Sequence, residues 1–257
     1  MDIKTHYTAH NAAIWNKLSS ESYIWTVPIS HEEFMRAQHG DWQVVLTPLV
    51  PVPKDWFLPL AGARLLGLAS GGGQQMPIFA ALGADVTVFD LSDNQLASER
   101  LVAEREGYRI TIVQGDMTLA FPFEDGAFDM IFHPVSNCFV HDVEHLWREC
   151  YRVLRPGGVL LAGFNNPLVY LFDEDATADD LRVVNSLPYD PLKNCSEAEL
   201  KAMSERGAIE FSHSLEAQIG GQLKAGLRLT HLYEDYDPRG ALGERAPAFI
   251  ATRAVKP

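Results

Sequence analysis

The sequence predicts an α/β fold: a doubly wound, Rossmann-like, mainly parallel seven-stranded sheet with an antiparallel last strand and helices on both faces. Three observations carry this. From Ala63 to Asn165, apolar runs of strand length alternate with segments of helical spacing, the rhythm that builds a parallel sheet covered on both sides. A triple glycine, Gly71 to Gly73, follows the first such run, where open α/β sheets keep their ligand crevice. Near the end of the chain, "RLTHLYEDY" and "PAFIATRAV" suit an antiparallel hairpin at the sheet edge.

Each element has its own justification. "ARLLGLAS" (Ala63 to Ser70) is a short apolar strand ending in glycines, and "MPIFAALGA" continues at helical spacing until Gly83 stops it. "DVTVFDLS" (Asp85 to Ser92) is β-branched. The helix after it is capped by Ser92 or Asp93 and closed by Gly107. "YRITIVQGDM" alternates as a strand does, and "FDMIFHPV" (Phe128 to Val135) reads as a buried strand. "VEHLWRECYRVL" (Val143 to Leu154) is an amphipathic helix halted by Pro156, and "VLLAGFN" (Val159 to Asn165) is the fifth strand. "SLEAQIGGQLKAGL" (Ser214 to Leu227) is a late amphipathic helix.

With 257 residues the chain is long enough for one large domain, here read as residues 1–257. Its expected parts are an N-terminal cover over 1–60, a core over 61–165, a lid insertion over 166–213, and a C-terminal helix with edge hairpin over 214–257. Unstructured stretches this long in a compact domain are usually functional, hence the lid. The three cysteines are far apart, without C-x-x-C spacing, and read as plain thiols with no metal site. A formal charge of −13 repels phosphate backbones, which argues against nucleic acid and for a small or weakly charged partner. No run approaches the roughly 18 apolar residues of a membrane span, and the N-terminus lacks the pattern of a signal peptide. The expected setting is cytoplasmic, without a membrane partner.

Bare backbone at the glycine turn lets a ligand approach closely, beside the unpaired N–H groups of a helix start. Asp90 ends the second strand about 20 residues further on, where a carboxylate accepts from a ribose diol. Its bland alternative is a helix cap. The spacing Gly67-x-Ala69-x-Gly71-x-Gly73 is not the dinucleotide pattern G-x-G-x-x-G, and no lysine or arginine lies nearby for a phosphate. A nucleoside without phosphates fits best.

"LLGLASGGG", "VTVFDLS", "VQGDM…FPFEDGAFDMIFH" and "YRVLRPGGVLLAG" together resemble the ordered motifs of class I S-adenosylmethionine-dependent methyltransferases, from about Arg64 to Phe164. The wider chain is similar to bacterial members of unassigned substrate. The resemblance implies S-adenosylmethionine as cofactor and S-adenosylhomocysteine as product. It implies contacts to the methionine part from Gly67, Ala69, Ser70, Gly71 and Gln74, and to the ribose from Asp90 with Leu91 packing alongside. Asp116 would accept from the adenine amino group, and Met117 would offer a backbone N–H to the ring. Two departures stand out: Gly67 replaces the family's acidic residue, and Ala69 replaces its first loop glycine.

Methyl transfer is an in-line displacement, so alignment and exclusion of water are the main tasks, and an acidic acceptor also needs a proton acceptor. His133 and Asn137, at the end of the fourth strand, are the expected catalytic pair. His133 is also a cofactor contact, or alternatively a ring that merely packs. His141 has similar chemistry with less positional support. Trp15, Trp25, Asn165 and His213 are the expected substrate-binding residues, with Asn166 beside them; burial, turn formation or local capping are the plainer readings. The rivals to a small-molecule methyltransferase are a nicotinamide-dependent oxidoreductase on the same sheet and a non-catalytic nucleoside-binding regulator.

Overall fold

The computed structural model describes residues 2–257 except Glu174, Asp175, Ala178, Asp180, Arg239, Ala241 and Glu244. Its seven-stranded sheet has the order β3-β2-β1-β4-β5-β7-β6. The strands are β1 (Arg64–Leu68), β2 (Asp85–Asp90), β3 (Thr111–Gln114), β4 (Phe128–His133), β5 (Leu154–Asn165), β6 (Arg228–Asp235) and β7 (Phe249–Val255). The first five pair in parallel, and β7 runs antiparallel to both β5 and β6. The edge hairpin expected from the C-terminal runs therefore forms, with its second strand inserted next to β5.

Alternation along β1 shows how the sheet becomes a two-sided core: Leu66 and Leu68 join one apolar cluster and Leu65 the other. The first cluster is closed by α5 (Val143–Val153), whose buried Val143, Leu146, Trp147, Cys150 and Val153 recur at helical spacing. The second is closed by α3 (Met76–Ala81), by α4 (Asp93–Glu106) through Leu96, and by the segment carrying Val44 and Trp56. Ser92 proves to be the cap of α4, its side chain accepting from the Gln95 N–H, and Gly107 closes that helix at φ 73°.

Several boundaries differ from the sequence expectation. β5 starts at Leu154, because the Pro156–Gly158 stretch is drawn into the sheet edge, with Gly157 N–H donating to Lys256 O. The late helix is split: a π-helical turn over Glu216–Gly220 leads into the short α8 (Gly221–Lys224). Gly220 and Gly221 make that change of winding inexpensive.

The N-terminal cover is built on α1 (Ile3–Ser20) and α2 (His31–Gln38), the latter opened by a Ser30–Glu33 capping box. The expected lid carries α6 (Pro191–Asn194) and α7 (Glu197–Arg206) and is packed against the body. Asn11 on α1 donates to Ile209 O and accepts from Ile209 N–H, while Phe211 N–H donates to Cys138 O.

Candidate functional site

At the carboxyl ends of β1 to β4 the structure holds a cleft-like cavity of about 850 Å³, partly covered by α1. Ala69, Ser70, Gly71 and Gln74 form one wall, Asp90 and Leu91 the next, and Asp116 and Met117 the far corner. These eight expected cofactor contacts are thus brought together by three strand ends that the sheet order sets side by side. The chain turns sharply at Ala69, whose φ of 46° is unusual for a residue with a side chain. Its N–H donates to Phe89 O, which fastens the loop to the end of β2.

The loop geometry also explains why glycine follows. A Cβ at Gly71 would sit 2.8 Å from Gln95 Cβ and 3.0 Å from Asp90 Oδ2. Gly72 and Gly73 adopt φ values of 102° and 72°, in the left-handed region that glycine occupies freely. Gly71 N–H donates to Asp90 Oδ2 and Ser92 N–H to Asp90 Oδ1, so the carboxylate is held by backbone on both oxygens. Burial pushes the Asp90 pKa up, and the Ser92, Gly71 and Leu91 N–H groups oppose that rise. Each oxygen keeps acceptor capacity for a hydroxyl. At the other corner, Asp116 Oδ1 accepts from Thr118 N–H at 2.8 Å.

Four of the expected site residues lie elsewhere. Gly67 is buried within β1, where a side chain would run into Met76, so the missing acid is accounted for by packing and the residue does not reach the cavity wall. His133 also stays in the core, fully buried: its Nδ1–H donates to Leu68 O at 2.9 Å, and its Nε2 has no partner among the described residues. Burial lowers its pKa to about 4, keeping the ring neutral, and it packs edge-on to Trp147. Asn137 exchanges hydrogen bonds with Gln218 through both ends of its amide, and its carbonyl accepts from His213 Nε2–H at 3.2 Å. Neither Asn137 nor His213 lines the cavity. The strand end that carries His133 instead presents Pro134, Val135 and Ser136. His141 pairs with Asp190 at 2.9 Å on the outer side, and Asn166 donates to Pro247 O.

Trp15, Trp25 and Asn165 do line the cavity. Trp15 meets Phe139 and Tyr23 edge-on, so the roof is aromatic. Asn165 Nδ2 donates to Tyr170 Oη at 2.7 Å, and Tyr170 Oη–H donates to Glu210 Oε2 at 2.7 Å. Burial and the neighbouring Glu210 raise the tyrosine pKa well above its ordinary value, so the phenol stays a donor.

Sequence reasoning missed Gln95, Phe139 and Glu210 on the wall. Gln95 carried a local signal, three residues past the Ser92 cap; Glu210 carried none, since it arrives by the packing of 207–211 under α1. Among the described residues no group of three or more His, Cys, Asp or Glu side chains is placed to hold a metal ion, and no helix is long and apolar enough to cross a membrane.

Residues 66–162 match the family model described as a methyltransferase domain. The chain is 44% identical to the uncharacterized methyltransferase YbaJ of Bacillus subtilis, over 96% of this chain and 98% of that one. It is 38% identical to a demethylmenaquinone methyltransferase of Thermus thermophilus, over 42% of this chain and 49% of the relative. Among solved structures it resembles an S-adenosylmethionine-dependent methyltransferase of Mesorhizobium loti, with a TM-score of 0.59 at 22% identity, covering 79% of this chain and 94% of the other. A geranyl diphosphate methyltransferase in complex with its methyl donor gives 0.57 at 18% identity, over 79% and 82%. At such identities these two structures speak for the fold.

Proposed function

The chain belongs to the class I S-adenosylmethionine-dependent methyltransferases, and from that premise we propose that its acceptor is a small molecule held in the cavity beneath α1. The cofactor, when bound, supplies a methyl carbon made electrophilic by the sulfonium. Asp90 accepts from the ribose hydroxyls, Asp116 from the adenine amino group, and Met117 N–H faces the ring. Ala69, Ser70 and Gly71 hold the methionine part, with Gln74 securing the loop by donating to Ile24 O and Val27 O of the cover. The observation that carries this reading is the convergence of the loop, Asp90 and Asp116 on one cavity.

Trp15, Tyr23 and Trp25 contribute aromatic faces that suit a cation and exclude water, which strengthens polar interactions inside. The acceptor lies toward Asn165 and Glu210. An acceptor that must lose a proton has the Glu210 carboxylate on that wall, oriented by Tyr170, whereas His133 serves by fixing Leu68 O at the origin of the loop. Negative net charge favours a non-anionic acceptor, and the Thermus relative is named for demethylmenaquinone.

Calorimetric titration with S-adenosylmethionine and S-adenosylhomocysteine tests the cofactor half, and saturable binding of both is expected. Incubation with methyl-labelled donor and size-fractionated bacterial extract tests the acceptor half. Label is expected in the low-molecular-weight fraction; label found only in protein or nucleic acid would overturn the small-molecule assignment.

A further inference from the structure

Among the polar side chains on the cofactor wall, Gln95 is anomalous. It is only 6% exposed, it lines the cavity, and among the described residues its buried Oε1 has no hydrogen-bond partner. A buried amide oxygen without a partner is costly, and native proteins rarely keep one without a use. The neighbouring amides are engaged: Gln74 with Ile24 O and Val27 O, and Asn16 with Ser92 and Asn94.

Position says what Gln95 serves. The space that a Gly71 side chain would fill lies against Gln95 Cβ at 2.8 Å and Asp90 Oδ2 at 3.0 Å. Gln95 and Asp90 thus flank the same bare backbone, one from the first turn of α4 and the other from the end of β2. Their chemistry is complementary. An ionised Asp90 only accepts, so it satisfies the hydroxyl protons of a diol and leaves the oxygen lone pairs without a donor. An amide donates as well as accepts.

We propose that Gln95 is a second ligand of the cofactor's ribose, donating to a hydroxyl oxygen whose proton Asp90 receives. This rests on the cofactor assignment made above. It also gives the side chain a use: an amide that faces the cavity as a donor while its Oε1 stays buried without a partner trades stability of the empty protein for selectivity toward ribose over deoxyribose.

The test compares wild type with Gln95→Met, which keeps length and removes both hydrogen-bonding groups. Each is titrated calorimetrically with S-adenosylhomocysteine and with its 2′-deoxy and 3′-deoxy analogues, and melted without ligand. Gln95→Met is expected to lose roughly tenfold in affinity for S-adenosylhomocysteine, and much less for the analogue lacking the contacted hydroxyl. Its ligand-free Tm is expected to equal or exceed that of wild type, which also shows that the variant folds. Equal losses toward all three ligands, or no loss at all, would overturn the role of Gln95 while leaving the cofactor assignment intact. Wild type that binds none of the three would defeat the assignment itself, and this inference with it.

Discussion

Gly71 and Asp90, 19 residues apart in sequence, meet through a 3.0 Å hydrogen bond from the glycine N–H to Oδ2 of the carboxylate. The bond joins the loop after β1 to the end of β2, coupling the two segments proposed to hold the cofactor's tail and its ribose. Five expectations follow from this and neighbouring relationships.

Asp90→Ala removes the proposed ribose acceptor and leaves the Gly71 and Ser92 N–H groups without their present partner. Hydrogen bonds to a charged group are worth about 1.5–3 kcal/mol, so S-adenosylhomocysteine should bind roughly ten- to a hundredfold more weakly by calorimetry. Unchanged affinity would contradict the ribose assignment.

Gly67→Ala should lower stability in urea titration by about 1–3 kcal/mol, because the new methyl collides with Met76. Cofactor affinity should stay as in wild type, since the residue is off the cavity wall. In a Met76→Ala background the same substitution should cost less, and strict additivity would count against the collision.

Glu99 is fully buried, accepts from Gly73 N–H at 2.8 Å, and is driven by burial from 4.5 to a pKa of about 8. In the folded state it holds a proton that the unfolded chain has already released, so its contribution is complete below about 4.5 and is lost as pH rises toward about 8. Glu99→Gln should therefore flatten the decline of Tm across that window. Parallel curves for variant and wild type would refute the buried protonated carboxyl.

His133 shows the opposite sign. Burial lowers its pKa from 6.5 to about 4, so the unfolded chain binds the extra proton and stability rises with pH between those values. His133→Phe should lose that rise and cost about 1–3 kcal/mol through the unpaired Leu68 O. An ascending limb in wild-type turnover between pH 6 and 8 that vanishes in this variant would restore the imidazole as proton acceptor.

Asn16 ties α1 to the start of α4, its Oδ1 accepting from Ser92 Oγ–H at 2.7 Å and from Asn94 N–H at 3.1 Å. Asn16→Ala should speed amide exchange along α1 and hasten S-adenosylhomocysteine release by roughly fivefold, about 1 kcal/mol, in stopped-flow displacement. Exchange and release indistinguishable from wild type would mean that α1 is held by other contacts.

The sequence by itself determined the sheet, the glycine turn and the two carboxylates, because these depend on short-range rules. Strand and helix periods, caps such as Ser92 and the spacing from Gly71 to Asp90 are written into neighbouring residues. Only the tertiary structure decided which side chains reach the cavity. His133 and Pro134 are adjacent in the chain, yet one ring turns into the core and the other lines the wall, a choice made by packing against Trp147 and Leu68. Glu210 and Trp15 meet the same cavity from segments almost two hundred residues apart, joined by the Asn11–Ile209 clasp, and no local pattern encodes a contact between surfaces so distant along the chain.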